Sequence, residues 1–166
     1  KMALAGKTGQ YYALGHTSHK RGFYYSVPVT IDGNIKATVA LKIDLEPIEQ
    51  QQQAIAGLAG NHFMVLGASD EVFLSNQPEW RLKTLHQGKL SEPEQERYLN
   101  RKLESLDVHS KPEWFNPGYT LWQLPLGQET VQLLPHYTNL PEFGWQLVLL
   151  QSPKQQQPAI WWLLAF

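Results

Sequence analysis

Hydrophobic and polar positions alternate along two segments between Arg21 and Leu45. Alternation with a period of two is typical of β-strands, because successive side chains face opposite sides of a sheet. The two segments are separated by Asp32-Gly33-Asn34, and Gly and Asn both accept the positive φ angles of tight hairpin turns. The pattern therefore predicts an antiparallel hairpin over this stretch.

One face of the predicted hairpin is polar. In its second strand, Leu41 and Ile43 share the apolar side, whereas Lys42 lies on the other. Tyr24 and Ser26 likewise share one face of the first strand. Two hydroxyls and an ammonium are groups that bind a small anion. A half-buried strand with a solvated face would give the same alternation without any function, so both interpretations remain open.

The loop before the hairpin adds polar groups to this cluster. His16 and Arg21 could join Lys42 in neutralising carboxylates, and Thr17 could donate a hydrogen bond, as could Tyr24. Arg21 can equally be a solvated loop cation, and the tyrosines can be core residues with the hydroxyl at the rim. An anion site here is thus one of two interpretations.

A second group of elements follows residue 62. We predict two strands, a short helix near residues 77–85, a longer helix over 91–106 and three antiparallel strands, the order found in PAS-like sensor modules. The longer helix is predicted from the capping-box pair Ser91 and Glu94 and from the helical spacing of Leu99 and Leu103. Residues 1–46 show only three strands, which correspond to the second half of such a module.

These patterns divide the chain into four segments. We predict half of a PAS-like module over 1–46, a helical linker over 47–61, a complete module over 62–152, and a juxtamembrane segment leading into a transmembrane helix over 153–166. Tryptophan is enriched at membrane surfaces, and the last eight residues are apolar with adjacent tryptophans. A terminal strand or a short core helix would also fit them. The non-methionine start leads us to expect a piece of a longer protein.

Composition narrows the possible functions. The net charge of −1 offers no electrostatic case for nucleic acid, and the absence of cysteine excludes disulfides and thiolate metal sites. The six histidines lack metal-ligand spacing, and no nucleophile motif such as G-x-S-x-G occurs. We therefore expect no catalytic residue, no metal site and no cofactor in this chain.

The segments "YYALG", "RGFYYS", "LKIDL" and "FLSNQPEWRLKTL" together resemble the periplasmic sensor region of C4-dicarboxylate transport sensor histidine kinases. The resemblance covers almost the whole chain. It implies an α+β fold of tandem PAS-like (double Cache) antiparallel sheets with flanking helices, with the membrane-distal module only half present. It also matches Lys42 to a ligand-binding lysine, and His16 to Ser18 to loop hydroxyls of the family. The predicted ligand-binding residues are His16, Thr17, Arg21, Tyr24, Ser26 and Lys42.

The same resemblance implies a function and its partners. It implies sensing of succinate, malate or fumarate in the periplasm by a homodimer of the inner membrane, held there by the C-terminal helix. An ATP-dependent kinase domain outside this chain would signal to a response regulator. The family also binds ligand through residues that precede position 1, including an arginine, so we expect a half-built pocket. A periplasmic protein-interaction module without a small ligand is the alternative, and a hydrolase would need a nucleophile that the sequence lacks.

Overall fold

A computed structural model describes residues 2–51, 61–85, 90–112 and 120–153. The described residues form two compact units. The first contains the residues up to Ile48 together with Leu90–Lys102, and the second contains the remainder.

The first unit is built on a three-stranded antiparallel sheet. Its strands, in spatial as well as chain order, are β1 (Gly9–Leu14), β2 (Arg21–Ile31) and β3 (Asn34–Asp44). The predicted turn joins β2 to β3, with φ of 49° at Asp32 and 73° at Gly33, as the two-residue hairpin turn requires. A short 3-10 turn, Ala3–Ala5, precedes the sheet. The hairpin prediction is confirmed.

The second unit contains a six-stranded antiparallel sheet and a two-stranded parallel pair. In chain order, the strands are β4 (His62–Leu66), β5 (Val72–Ser75), β6 (Lys83–Leu85), β7 (Glu104–Leu106), β8 (His109–Pro112), β9 (Thr120–Leu126), β10 (Glu129–Leu140) and β11 (Trp145–Gln151). The large sheet has the order β5-β4-β11-β10-β9-β8, and β6 pairs with β7. The strands that come first and last in the chain, β4 and β11, are therefore neighbours inside this sheet. The three C-terminal strands are antiparallel, as predicted.

The core of the second unit lies on one face of its large sheet. Trp80, which is fully buried, belongs to this core, and its indole Nε1 donates to the backbone oxygen of Pro125 at 2.7 Å. Trp80 ends a short 3-10 turn, Pro78–Trp80, where we predicted a helix. Further core residues are Met64, Leu66, Val72, Leu106, Trp122, Leu124, Val148 and Leu150.

The helix predicted over residues 91–106 is correct only in its first part. The helix covers Glu92–Arg97 and has the predicted capping box at its start. Leu99 and Asn100 then adopt φ angles of 55°, which lie in the left-handed region and end a right-handed helix. Tyr98, 1 % exposed, is buried at this point with its ring 6.5 Å from that of Tyr12. Burial of Tyr98 thus overrides the leucine spacing on which the longer helix was predicted.

The boundaries of the two units show how the predicted segments pack, but they do not bear on where those segments lie relative to a membrane. Leu90–Lys102 packs with the first unit, and Glu49 of the predicted linker with the second. Residues 46–51, which include the start of that linker, are helical, and residues 52–60 of the linker lie outside the described part. No helix of the described residues is both long and apolar enough to cross a bilayer. The predicted transmembrane start lies beyond residue 153, outside the described ranges.

Candidate ligand-binding site

A cavity of about 620 Å³ lies in the first unit. This volume falls within the range of about 300–1,000 Å³ found for small-molecule sites. Its walls come from β1 and the loop after it, from β2 and β3, and from the Glu92–Arg97 helix. Three predicted site residues line it: His16, Tyr24 and Ser26.

The register of the sheet aligns polar side chains in a row across the strands. Tyr24 of β2 lies directly opposite Tyr11 of β1 on one side and Lys42 of β3 on the other. Residues directly opposite one another in a sheet share a face. Tyr11, Tyr24 and Lys42 therefore lie on the face that carries the cavity.

Lys42 reaches towards the cavity across a glycine. A Cβ at Gly22 would lie 2.5 Å from Lys42 Cε, so only glycine leaves room for this path of the lysine stem. The ammonium Nζ donates to Ser18 Oγ at 3.1 Å, in the loop that follows β1. Lys42 itself does not line the cavity, but its ammonium would lie 3.5 Å from a Cβ at Gly15, which does.

A cation and two hydroxyls converge around Gly15. A Cβ there would lie 2.6 Å from Ser18 Oγ and 3.2 Å from Tyr24 Oη, besides its approach to Lys42 Nζ. The Lys42 side chain is exposed, and no carboxylate of the described residues forms an ion pair with it. Lys42 thus lies on a wet face, but beside donors that suit a carboxylate.

The remaining predicted residues are placed less favourably. Thr17 is exposed in the loop after β1 and does not line the cavity. Arg21 begins β2, where it lies opposite Leu14 of β1. It is three residues from Tyr24, and because successive side chains of a strand alternate, it belongs to the opposite face of the sheet. His16 lines the cavity but is exposed, and Ser26 Oγ donates to the backbone oxygen of Gly9 at 3.4 Å. The structure thus brings together four of the six, and leaves Thr17 and Arg21 aside.

The sequence reasoning missed Tyr11 and Arg97, which are two of the further residues that line the cavity. Arg97 lies at the end of the Glu92–Arg97 helix, with its guanidinium carbon 5.3 Å from the ring centre of Tyr11. Burial raises the pKa of the Tyr11 phenol, and this effect outweighs the opposing charge of Arg97, so the phenol keeps its proton at neutral pH and can donate. The alternation of β1 could have revealed Tyr11. Nothing in the sequence signals Arg97, because its place depends on how residues 90–102 pack.

A buried ion pair in the second unit is structural rather than a ligand site. Glu49 is fully buried, and its Oε2 lies 3.3 Å from Nη1 of Arg81. Its other oxygen accepts from the backbone nitrogen of Ser75 at 3.2 Å, and Arg81 Nε donates to the backbone oxygen of Ser75 at 2.9 Å. The carboxylate is therefore satisfied within the protein. Across the described ranges, no three His, Cys, Asp or Glu side chains lie close enough to hold a metal ion.

The fold defines a class of protein, a PAS-like sensor region, and this one has a cavity on its first sheet. The structure superimposes on the periplasmic domain of RsbU from Chlamydia trachomatis with a TM-score of 0.60, covering 93 % of this chain and 58 % of that one. Sequence identity is 9 %, so this likeness concerns the fold alone. No protein-family model matches the chain.

The particular likeness is to DctB histidine kinases. The structure matches the sensor domain of DctB from V. cholerae with a TM-score of 0.68 and 27 % identity, over 90 % of this chain and 57 % of that domain. The sequence is 32 % identical over 81 residues to the C4-dicarboxylate transport sensor protein DctB of Pseudomonas aeruginosa. That match covers 49 % of this chain but only 13 % of the relative's length. The predicted resemblance to a periplasmic sensor region of such kinases is confirmed, and so is the α+β, PAS-like fold.

Proposed function

We propose that this chain is the signal-sensing region of a two-component C4-dicarboxylate sensor histidine kinase, and that its first unit binds a ligand of the succinate, malate or fumarate type. The observation that carries the proposal is the convergence of Lys42 Nζ, Ser18 Oγ and Tyr24 Oη beside the cavity. The two DctB relatives support the class of ligand, since one of them bears C4-dicarboxylate transport in its name.

A carboxylate at this position would form charge-assisted hydrogen bonds. Lys42 keeps donor capacity beyond its bond to Ser18, because an ammonium has three hydrogens. Tyr24 and Ser26 supply hydroxyls on the same face of the sheet. Hydrogen bonds to charged groups contribute about 1.5–3 kcal/mol each, enough to retain a small anion when several act together.

The role of the whole protein follows from this proposal. The chain would lie in the periplasm, anchored to the inner membrane, and would itself perform no catalysis. An ATP-dependent kinase domain elsewhere in the protein would phosphorylate itself and signal to a response regulator. Ligand binding would shift a homodimer between two arrangements, because a ligand favours the state that it binds more tightly.

Calorimetric titration of the intact periplasmic region with succinate tests the proposal. We expect Lys42→Met to bind succinate about ten- to a hundredfold more weakly, the equivalent of one charge-assisted hydrogen bond. Lys42→Arg should restore binding only in part, because a planar guanidinium presents its donors in another geometry. Lys36→Met is the matched control, since Lys36 is also an exposed lysine of β3 but its ammonium, unlike that of Lys42, is not among the three groups nearest to a Cβ at Gly15.

Two results would contradict the proposal. The parent protein would show no heat with succinate, malate or fumarate, or Lys42→Met would bind succinate as tightly as the parent does. Equal weakening by Lys36→Met would show that the lysines act only through net charge, and would remove Lys42 from the site.

One observation favours the alternative of a protein-interaction module. On the face of the first sheet opposite Lys42, Val39 and Leu41 are 57 % and 58 % exposed, and Tyr25 and Ile43 are 39 % and 40 % exposed. Exposed apolar patches often mark contacts with another protein. This alternative would be favoured if the protein bound no dicarboxylate and if Leu41→Lys abolished its binding to a partner protein.

A further inference from the structure

Resting on the proposed function, we propose that Gly22 is a positioning residue of the ligand site: the lack of a side chain there directs the ammonium of Lys42 to the wall of the cavity. Gly22 does not itself line the cavity. It is the second residue of β2, the middle strand of the first sheet, where it lies between Ala13 of β1 and Asp44 of β3. Its effect on binding passes through Lys42.

The backbone of the sheet does not require glycine at this position. Gly22 has no positive φ angle, whereas Gly33 of the turn after β2 has a φ of 73°. Glycine within a strand loses more conformational freedom on folding than any other residue, and it contributes no side chain to packing. A strand glycine with an ordinary backbone therefore indicates that another group occupies the space of its missing side chain.

The side chain of Lys42 occupies that space. A Cβ at Gly22 would lie 2.5 Å from Cε and 3.2 Å from Cγ of Lys42. Carbon atoms in contact are about 3.5–4.0 Å apart, so both distances are too short for a methyl group. Lys42 reaches Gly22 diagonally, because its direct partner on β2 is Tyr24, and diagonal neighbours are within reach of long side chains. An alanine at position 22 would therefore push the lysine stem aside.

The path of the lysine stem brings the ammonium to the hydroxyls of the site. Lys42 Nζ donates to Ser18 Oγ at 3.1 Å and lies 6.0 Å from the ring centre of Tyr24. An alternative partner is near, because Asp44 is two residues further along β3 and shares the face of Lys42. Asp44 instead accepts from the backbone nitrogen of Glu46 at 3.1 Å, and no ion pair joins it to Lys42 among the described residues. Lys42 thus extends towards the loop after β1 rather than along its own strand.

The contact between Gly22 and Lys42 can be disrupted without unfolding the sheet. The lysine atoms that a Cβ at Gly22 would displace belong to a flexible, exposed side chain, which can rotate into other staggered conformers. The same Cβ would lie 3.3 Å from the backbone oxygen of Ile43, which cannot rotate away. We therefore expect a small loss of stability from the Ile43 contact and a loss of binding from the movement of Lys42. The two effects are separable, because only the second requires the ammonium.

The test is a double-mutant cycle, measured by calorimetric titration of the intact periplasmic region with succinate. We expect Gly22→Ala to bind succinate at least about tenfold more weakly than the parent, as Lys42→Met does, because both remove a charge-assisted hydrogen bond. Gly22→Ala added to Lys42→Met should change the affinity by less than about twofold, since no ammonium remains to be displaced. Ala37→Val is the control and should bind like the parent, because it adds bulk to an exposed position of β3 on the opposite face.

A second measurement follows the lysine without any ligand. In nuclear magnetic resonance spectra of the parent, we expect an Overhauser contact between Hα of Gly22 and Hε of Lys42, together with a ring-current shift of the Lys42 signal from Tyr24. Gly22→Ala should move that signal towards the position of an exposed lysine such as Lys36. A purely structural role of Gly22 would leave the Lys42 signal unchanged.

The outcomes separate this inference from the proposed function. Parent-like succinate affinity in Gly22→Ala would overturn the inference and leave the proposed function intact. Equal weakening by Gly22→Ala in the parent and in Lys42→Met would do the same. Failure of Gly22→Ala to fold in both backgrounds would show that the sheet itself requires the glycine, and would also overturn the inference. A parent that binds no dicarboxylate would overturn both.

Discussion

The two sheets of this protein share antiparallel pairing but differ in what they bury. In the six-stranded sheet, Met64, Val148 and Leu150 are 0 % exposed. In the three-stranded sheet, Leu41 has the same apolar character and a similar alternating sequence around it, yet it is 58 % exposed. An alternating pattern thus specifies a strand, but it does not specify how much of the strand is buried.

The two sheets therefore differ in how much they contribute to stability. Burial of apolar area is the main source of stability, so the six-stranded sheet with its tryptophan-centred core provides most of the stability. The three-stranded sheet buries less, and its β3 side chains from Asn34 to Ile43 are all exposed. A polar face that is not committed to a core leaves room for a cavity, and the cavity of the first unit lies on this face.

The largest expected difference concerns hydrogen exchange. We expect the amides of β4 and β11 to exchange at least about a thousandfold more slowly than those of β3, because local opening is much easier in a sheet with little burial. Exchange measured by mass spectrometry on peptides from the two sheets checks this. Similar protection of β3 and β11 would show that the first sheet is as stable as the second.

Removal of the buried ion pair should have the next largest effect. We expect Glu49→Gln to lower the free energy of unfolding of the second unit by about 3 kcal/mol, because it leaves Arg81 without its buried carboxylate. Denaturation followed by the fluorescence of Trp80 and Trp122 reports on that unit. The control is Glu46→Gln. The carboxylate of Glu46 pairs with Lys20 at 2.9 Å but is 48 % exposed, and exposed ion pairs contribute little to stability. Equal effects of the two variants would contradict the comparison.

A smaller effect is expected in the first unit at the start of its helix. The carboxylate of Glu94 accepts from the backbone nitrogen and from Oγ of Ser91, at 2.8 Å and 2.6 Å. We expect Ser91→Ala to lower the local stability of Glu92–Arg97 by about 1 kcal/mol, as is typical for the loss of a helix cap. Exchange of the Tyr98 amide measures this, with Ser110→Ala in exposed β8 as the control. An unchanged exchange rate would mean that Glu94 alone caps the helix.

The smallest expected effect is a pH dependence confined to the second unit. Burial lowers the pKa of His62, which contacts Gln77 through Nδ1 at 2.7 Å and the edge of Trp80. The unfolded chain therefore binds the proton more readily than the folded one, so stability falls as the pH drops through about 6.5, the ordinary histidine value. The melting temperature measured by tryptophan fluorescence should decrease from pH 7.5 to 5.5, and less so in His62→Gln. His109→Gln, at a side chain 67 % exposed, should behave like the parent.

By itself, the sequence determined the local elements of the first sheet and the residues on its polar face. The alternation around Lys42 and the Asp32-Gly33 turn are local signals, because strand period and turn geometry depend on a few neighbouring residues. They were sufficient to place Tyr24, Ser26 and Lys42 on one face, and their register agrees. The family resemblance likewise rested on contiguous segments, and it is confirmed.

Only the tertiary structure decided which residues enclose the cavity. Arg97 lies 55 residues after Lys42 in the sequence, and its contact with Tyr12 depends on the packing of Leu90–Lys102 against the first sheet. The burial of Tyr98 ended the helix that leucine spacing alone would have continued. Periodicity reports which side chains share a face of one element, but long-range burial decides where that element ends and which sheet it meets.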